Sequence, residues 1–314
     1  MNPALSTSFS GGPGDARLLM HDLEQLGVRA VELEYRLGRK VFQDLKPLLR
    51  EAGIAVVSLH NYCPFPQLMP KAGPSGDYFR LSATDREERD LAVAWTARTL
   101  EAAHDLEARA VVLHCGLVQK PSRRAEFYHC FRTHGSESQA YQNLLAAEQE
   151  RLNAAKAPFM DALMFSLDKL LPAADRLDLT LGLEIRYHYD ELPGFADMER
   201  LLAEFAGGPV GYWHDCGHAH AQEILGLNTQ LQWLERFKQD LVGAHLHDAK
   251  GLEDHLAPGK GEIDFNAVIS ALDPSKPAVL ELAPGTTHGD IKHGIDYLRQ
   301  LTPGATDGQD PANR

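Results

Sequence analysis

LVGAHLHDAKGLEDHLAPGKG, residues Leu241–Gly261, is the stretch from which the fold can be read. Leu241–Leu246 is an apolar run of strand length. Six groups able to bind a cation or move a proton follow or interrupt it: His245, His247, Asp248, Glu253, Asp254 and His255. Gly259-Lys260-Gly261 can turn sharply and present backbone N–H groups to an anion. The stretch reads as the end of a buried strand carrying a metal ligand, followed by a loop that brings further ligands back over the same point.

Working outward, the same rhythm recurs. Apolar, β-branched runs at 5–9, 30–35, 54–59, 108–113, 179–183, 210–213 and 278–280 read as further strands. Helical periodicity fills 16–26, 41–51, 85–106, 157–177, 195–205, 231–238, 265–272 and 289–301. Asp15 is placed to cap the first helix and Gly27 to close it. Strands that are apolar on both faces are expected in a parallel sheet covered by helices. Strict alternation at this length predicts an α/β fold, a (β/α)8 TIM barrel with its site at the C-terminal rim of the strands. An open doubly wound sheet is the alternative, but no G-x-G-x-x-G follows the first strand. One barrel domain is expected over 1–301. Residues 117–155, helical over 137–155, form an insertion of the kind used as a lid, binding loop or partner surface. The long loop 61–84 holds Pro64, Pro66, Pro70 and Pro74. The Pro/Gly/Asp-rich tail 302–314 is expected to fray.

The totals narrow the classes of function. The chain has 314 residues, 44% of them hydrophobic, which is enough for a large core. A net charge of -13 without a basic stripe argues against a dedicated nucleic-acid binder. No apolar run is long enough to span a membrane, and no basic start followed by an apolar core marks a secretory leader. Four cysteines without a C-x-x-C pair are expected to be free thiols in a reducing cytoplasm. Cys63, Cys115 and Cys216 read as small buried thiols.

The chemistry lies at the strand ends. His60, His114, Glu184, Asp215, His245 and Glu281 each stand at or just past the end of a different strand. In a parallel barrel those ends meet at one rim. Three carboxylates gathered there would repel one another unless a cation neutralised them. Imidazole with carboxylate suits a divalent ion such as Zn, Mn, Co, Fe or Mg, and no thiolate is needed. One ion is expected, with room for up to three. Asp248, His247 and Arg186 are placed to orient the ligands. Glu32 and Glu34 share one strand face, where a rim contact by Glu34 and an internal ion pair are both open. Arg123, Arg124 and Lys120 read as solvated surface.

The succession LEIR, DCGH, HLHD, DH-x3-GKG and LEL resembles the xylose-isomerase-like TIM-barrel superfamily. That group includes sugar isomerases and epimerases and the endonuclease IV-type nucleases. The resemblance implies a metal site of Glu184, Asp215, His245 and Glu281, with the two glutamates also acting as an acid–base pair. It implies His60, His114, His218, Glu253 and His255 as additional metal or substrate contacts. Glu253 stands where the endonuclease IV-type pattern has Asp. Arg186, His188 and Lys260 are expected to bind substrate. The residues alone leave His60, His114, His218 and His255 open between metal ligation and substrate contact, and favour a supporting role for His247. Two functions are therefore expected in order. The first is a metal-dependent isomerase or epimerase acting on a sugar, sugar phosphate or polyol. The second is a multi-metal hydrolase acting on a phosphodiester or related ester. A small carbohydrate partner, no nucleic acid and no membrane fit the first, and a homo-oligomer is left open.

Overall fold

The computed structural model describes residues 2–66, 73–118 and 123–301. Pro70, Lys120 and the tail 302–314 lie outside them. The chain runs β1 (Ala4–Ser6), α1 (Ala16–Leu26), β2 (Ala30–Leu33), α2 (Arg39–Ala52), β3 (Ala55–His60), α3 (Arg86–Asp105) and β4 (Ala110–Leu113). Three helices follow, α4 (Arg124–His134), α5 (Gln139–Ala155) and α6 (Ala157–Arg176), before β5 (Thr180–Glu184). Then come α7 (Phe195–Glu204), β6 (Val210–Asp215), α8 (Cys216–Ile224), α9 (Gln230–Arg236) and β7 (Leu241–Leu246). The last elements are β8 (Asp248–Lys250), β9 (Glu253–Leu256), α10 (Phe265–Ala271), β10 (Ala278–Leu280) and α11 (His288–Gln300).

Seven strands from β1 to β7, with β10, close into a parallel barrel in the order β1-β10-β7-β6-β5-β4-β3-β2. The fold is the expected (β/α)8 barrel. Local chemistry sets the helix ends as the sequence indicates. Asp15 accepts a bond from the Arg17 N–H at 2.8 Å, and Gly27 closes α1 at a φ of 67°. The barrel interior is filled by Trp213 packed with Ala4, Ala110, Val112 and Val279. Such a ring fits only because its flanking strands carry glycine. A Cβ on Gly243 of β7 or on Gly182 of β5 would run into the indole.

Several elements differ from the sequence expectation, among them the short hairpin β8–β9, where a loop is expected. The first strand stops at Ser6, and Thr7–Ser10 turns as a 3-10 segment held by Ser10 Oγ donating to Thr7 O at 2.7 Å. Helix α8 begins directly after β6, because the Asp215 carboxylate caps it by accepting the His218 N–H at 2.7 Å. Gly217 inside α8 costs helix propensity but admits the His247 ring, which a Cβ would strike. Helix α4 was hidden in a polar stretch; with α5 it builds a satellite core of Phe127, Tyr128, Tyr141, Leu145 and Leu225.

The arginines of this insertion are not simply solvated. Arg124 pairs with Asp190 at 2.7 Å, and Arg123 pairs with the buried Glu148 at 2.8 Å. All four cysteines are free, three of them buried. Among the described residues, no helix is long and apolar enough to cross a membrane.

Candidate metal centre

Strand register assembles the centre. Glu184 and Asp215 are the last residues of β5 and β6, and His245 lies one residue before the end of β7. Asp215 and His245 are register partners on β6 and β7, while Glu281 follows β10 directly. All four are buried, and one ligand atom from each lies within 4.8 Å of the others. The focus is His245 Nδ1, with Glu184 Oε1 at 2.7 Å, Glu281 Oε2 at 2.9 Å and Asp215 Oδ2 at 3.6 Å.

A single ring nitrogen carries at most one proton, so it cannot satisfy three carboxylates. The opposite nitrogen is already assigned. His245 Nε2 lies 3.1 Å from both oxygens of Glu32, which also accepts from Ser58 Oγ at 2.8 Å. An Nε2–H donated to Glu32 leaves Nδ1 as a lone pair aimed at the three carboxylates. One nitrogen and three carboxylates around one point fit a divalent cation such as Zn or Mn. Without one, the imidazole takes the positive role. Burial pushes the His245 ring down, but Glu281, Glu32 and Glu184 more than reverse this and hold it well above the ordinary range. Burial pushes the Glu184 carboxyl up, and His114 and His245 hold it well below the usual carboxylate range.

A second set shares Glu184. His60, His114 and Glu184 also bring ligand atoms within 4.8 Å of one another. His114 Nε2 lies 2.8 Å from Glu184 Oε2, and His60 Nε2 lies 3.6 Å from the same oxygen. Both rings are anchored from behind. His60 Nδ1 meets the Asn61 carbonyl at 3.0 Å, and His114 Nδ1 meets Asp77 Oδ2 at 3.0 Å. Each therefore presents Nε2 to the shared carboxylate.

The remaining expected residues divide. His247 Nδ1 accepts the His255 N–H at 2.8 Å, and its Nε2–H donates to Asp215 at 3.0 Å, so this ring braces Asp215. His255 stacks on His247 with centroids 4.1 Å apart and reaches 4.0 Å from Glu281. His218 Nδ1 is bound to the Ile185 carbonyl at 3.0 Å, and its ring stands 6.1 Å from that of His255. Glu253 is exposed on the hairpin β8–β9, so no third set of ligands gathers among the described residues.

Arg186 is buried against Glu184 at 3.5 Å, Asp77 at 2.7 Å and Glu191 at 3.4 Å. His188 is engaged by the Tyr128 hydroxyl at 2.8 Å. Lys260 is half exposed and pairs with Asp290 of α11 at 3.0 Å. The Gly259-Lys260-Gly261 turn does hold an anion, but the anion is the chain's own. Asp248 accepts the Gly259, Gly261 and Ile263 N–H groups at 2.9, 2.8 and 3.1 Å. Asp248 thus orders the loop and braces no ligand.

Sequence reading missed the work of Glu32 and Asp77. Glu34, the other member of the Glu32 strand face, makes the internal ion pair, with Arg36 at 2.8 Å. A cleft of about 370 Å³ lies beside α5, lined by Lys156, His188, Glu191 and Gln222 among others. It contains none of the converging ligands, and the ligands define the centre.

The sequence profile of the family described as "Xylose isomerase-like TIM barrel" matches residues 20–301. No curated protein matches the chain. Solved structures similar to it include an E. coli 3-keto-D-glucoside 4-epimerase, YcjR, in its apo form, with 16% identity, a TM-score of 0.66, and coverage of 96% of this chain and 99% of that one. A D-psicose 3-epimerase from Clostridium cellulolyticum, solved with D-tagatose, has 13% identity and a TM-score of 0.68 over 96% and 99% of the two chains. The IOLI protein with a bound zinc atom has 15% identity and a TM-score of 0.65 over 96% and 100%. At these identities the likeness establishes the fold.

Proposed function

We propose, from the premise that the chain belongs to the xylose isomerase-like TIM-barrel family, that it is a divalent-metal-dependent sugar isomerase or epimerase. The observation that carries this reading is the meeting of Glu184, Asp215, His245 and Glu281 at one point on the rim. Its structural neighbours include enzymes named as sugar epimerases, which adds support. A cation held by these four residues would supply a Lewis acid for a carbonyl and its neighbouring hydroxyl.

The chain's own groups move the proton. Of the four, Glu281 has the most open side chain, at 8% exposure against 1% for Glu184 and none for Asp215 and His245. Glu281 is therefore the base that takes a proton from the carbon beside the carbonyl. Glu184, fixed by His114 and His245, returns one on the opposite face. Arg186 and His188 line the approach and orient hydroxyls.

A second reading, a multi-metal hydrolase, is favoured by one observation. Glu184 is shared between two sets of ligands, as a carboxylate bridging two cations would be. One experiment separates the two. The Mn-loaded protein is incubated in D2O with a panel of ketohexoses and, separately, with a phosphodiester ester. Deuterium entering the sugar at the carbon beside the carbonyl, with the ester intact, is the expected result. Ester cleavage without exchange would replace the first reading by the second.

A further inference from the structure

The cleft of about 370 Å³ beside α5 is large enough for a small-molecule ligand. Its walls come from Gln149 and Asn153 of α5, the loop 188–194 after β5, and Leu227 and Asn228 between α8 and α9. Helix α5 belongs to the insertion, so inserted residues build one side. The loop wall is tied down by its backbone. The Val118 N–H donates to the Asp190 carbonyl at 3.0 Å, and the Leu192 N–H donates to the Gly116 carbonyl at 2.9 Å.

Every carboxylate and ammonium lining the cleft is answered within the chain. Asp190 pairs with Arg124 at 2.7 Å, Glu191 with Arg124 and Arg186 at 3.4 Å each, and Asp197 with Lys156 at 2.9 Å. A charged ligand would find no unpaired counter-charge there, so the cleft suits an uncharged one. Three amides are free to bind it. Among the described residues, the side chains of Gln149, Asn153 and Asn228 have no hydrogen-bond partner, whereas Gln222 is committed to the Trp233 indole and the Arg186 carbonyl. Leu227 and Phe195 add apolar surface between them. Amides beside apolar and aromatic surface match a sugar ring, which carries hydroxyls at its edge and C–H groups on its faces.

One side chain joins the cleft to the reacting centre. Arg186 touches Glu191 at 3.4 Å on the cleft side and Glu184 at 3.5 Å at the cation site. We infer that the cleft is a second carbohydrate subsite, which holds the uncharged, non-reacting ring of a disaccharide while its ketose end reacts at the cation. The inference rests on the sugar isomerase or epimerase reading and narrows its substrate class. Binding energy from the remote ring then lowers the barrier at the ketose, so a free ketose is the truncated, slower substrate.

The test compares D-fructose with isomaltulose and maltulose, which carry a glucose ring on O6 and O4 of the same ketose. Mn-loaded full-length protein is incubated in D2O, and kcat/KM is read from deuterium entering the ketose beside its carbonyl. In wild type, at least one disaccharide should exceed D-fructose by about 10-fold or more, as a few added hydrogen bonds allow. Asn153→Trp fills the cleft from an exposed position on α5 and should bring that ratio close to one. Asn228→Trp should do the same from the other loop, and melting temperatures identify which variant is folded and carries the test. A wild-type ratio of one or less overturns the inference and leaves the sugar reading standing. An unchanged ratio in the folded variants, whether activity persists or falls equally on all three sugars, also overturns it. Exchange with none of the three sugars in wild type overturns both.

Discussion

A histidine ring offers two nitrogens, and at His245 the chain uses both. Glu32 holds Nε2 from below, and three carboxylates face Nδ1 from the rim. Replacing Glu32 by Gln removes the negative charge behind Nε2 and puts an NH2 donor in place of one of the two acceptor oxygens, while leaving every proposed ligand in place. Cation affinity at the first set should fall by about 10–100-fold, read by titration with Zn. Unchanged affinity would mean that Glu32 only fills space. Glu281→Gln should keep the circular dichroism of the wild type and abolish turnover, because the amide can neither take the proton nor carry the charge. Full activity in that variant would remove Glu281 from the mechanism. These residues differ in how legible they are. Glu184, Asp215 and Glu281 stand out because an apolar run stops just before each of them, with only His214 between the run and Asp215. Glu32 lies inside a strand, where the sequence shows which residues share its face but not what that face meets. Asp77 is invisible for a different reason: its partners are 37 and 109 residues away, across a loop with no period.

Among the elements, the insertion shows how polar sequence becomes fixed structure. Helices α4 and α5 pack through Phe127, Tyr141 and Leu145 and are joined through Glu148. That buried carboxylate receives Arg123 at 2.8 Å, Arg151 at 2.6 Å and the Tyr189 hydroxyl at 3.3 Å. Burial pushes its pKa up, and Arg151 and Arg123 outweigh burial and hold it below the ordinary 4.5. A depressed carboxylate contributes stability that is present above its ordinary value and lost as pH falls through the folded one. Hydrogen exchange across 124–155, taken relative to the intrinsic rate at each pH, should therefore lose protection below about pH 4.5 in the wild type. In Glu148→Gln it should already be fast at neutral pH. Equal protection of the two proteins at pH 7 would show that the arginines contribute nothing there. The hairpin β8–β9 and its glycine turn make the complementary point. Their N–H groups face a carboxylate, as an anion-binding turn should, and that carboxylate is Asp248. Sequence alone can specify such a turn without saying whether its anion is substrate or self.

For the molecule as a whole, closure of the barrel turns strand order into a site. Seven of the eight strand segments were legible as runs close to their true length, and their parallel alignment at one rim follows from the alternation with helices. The floor of the site was not legible, because it depends on which glycines face which ring. Trp213 sits beneath His245 with centroids 5.2 Å apart, in space that Gly243 and Gly182 leave open. Gly243→Ala should therefore cost about 1–3 kcal/mol by overpacking, seen as a lower urea midpoint. The same variant should bind cations less tightly, since His245 rests on the displaced indole. An unchanged midpoint would contradict the close packing of the floor. The central claim, that four strand ends hold one cation, is tested most directly by a crystal structure of Mn-soaked protein with an anomalous difference map. The predicted result is a peak bounded by Glu184, Asp215, His245 Nδ1 and Glu281, at roughly 2.0–2.3 Å from each ligand atom. A fully occupied peak elsewhere, with these four side chains still hydrogen-bonded to one another, would contradict it.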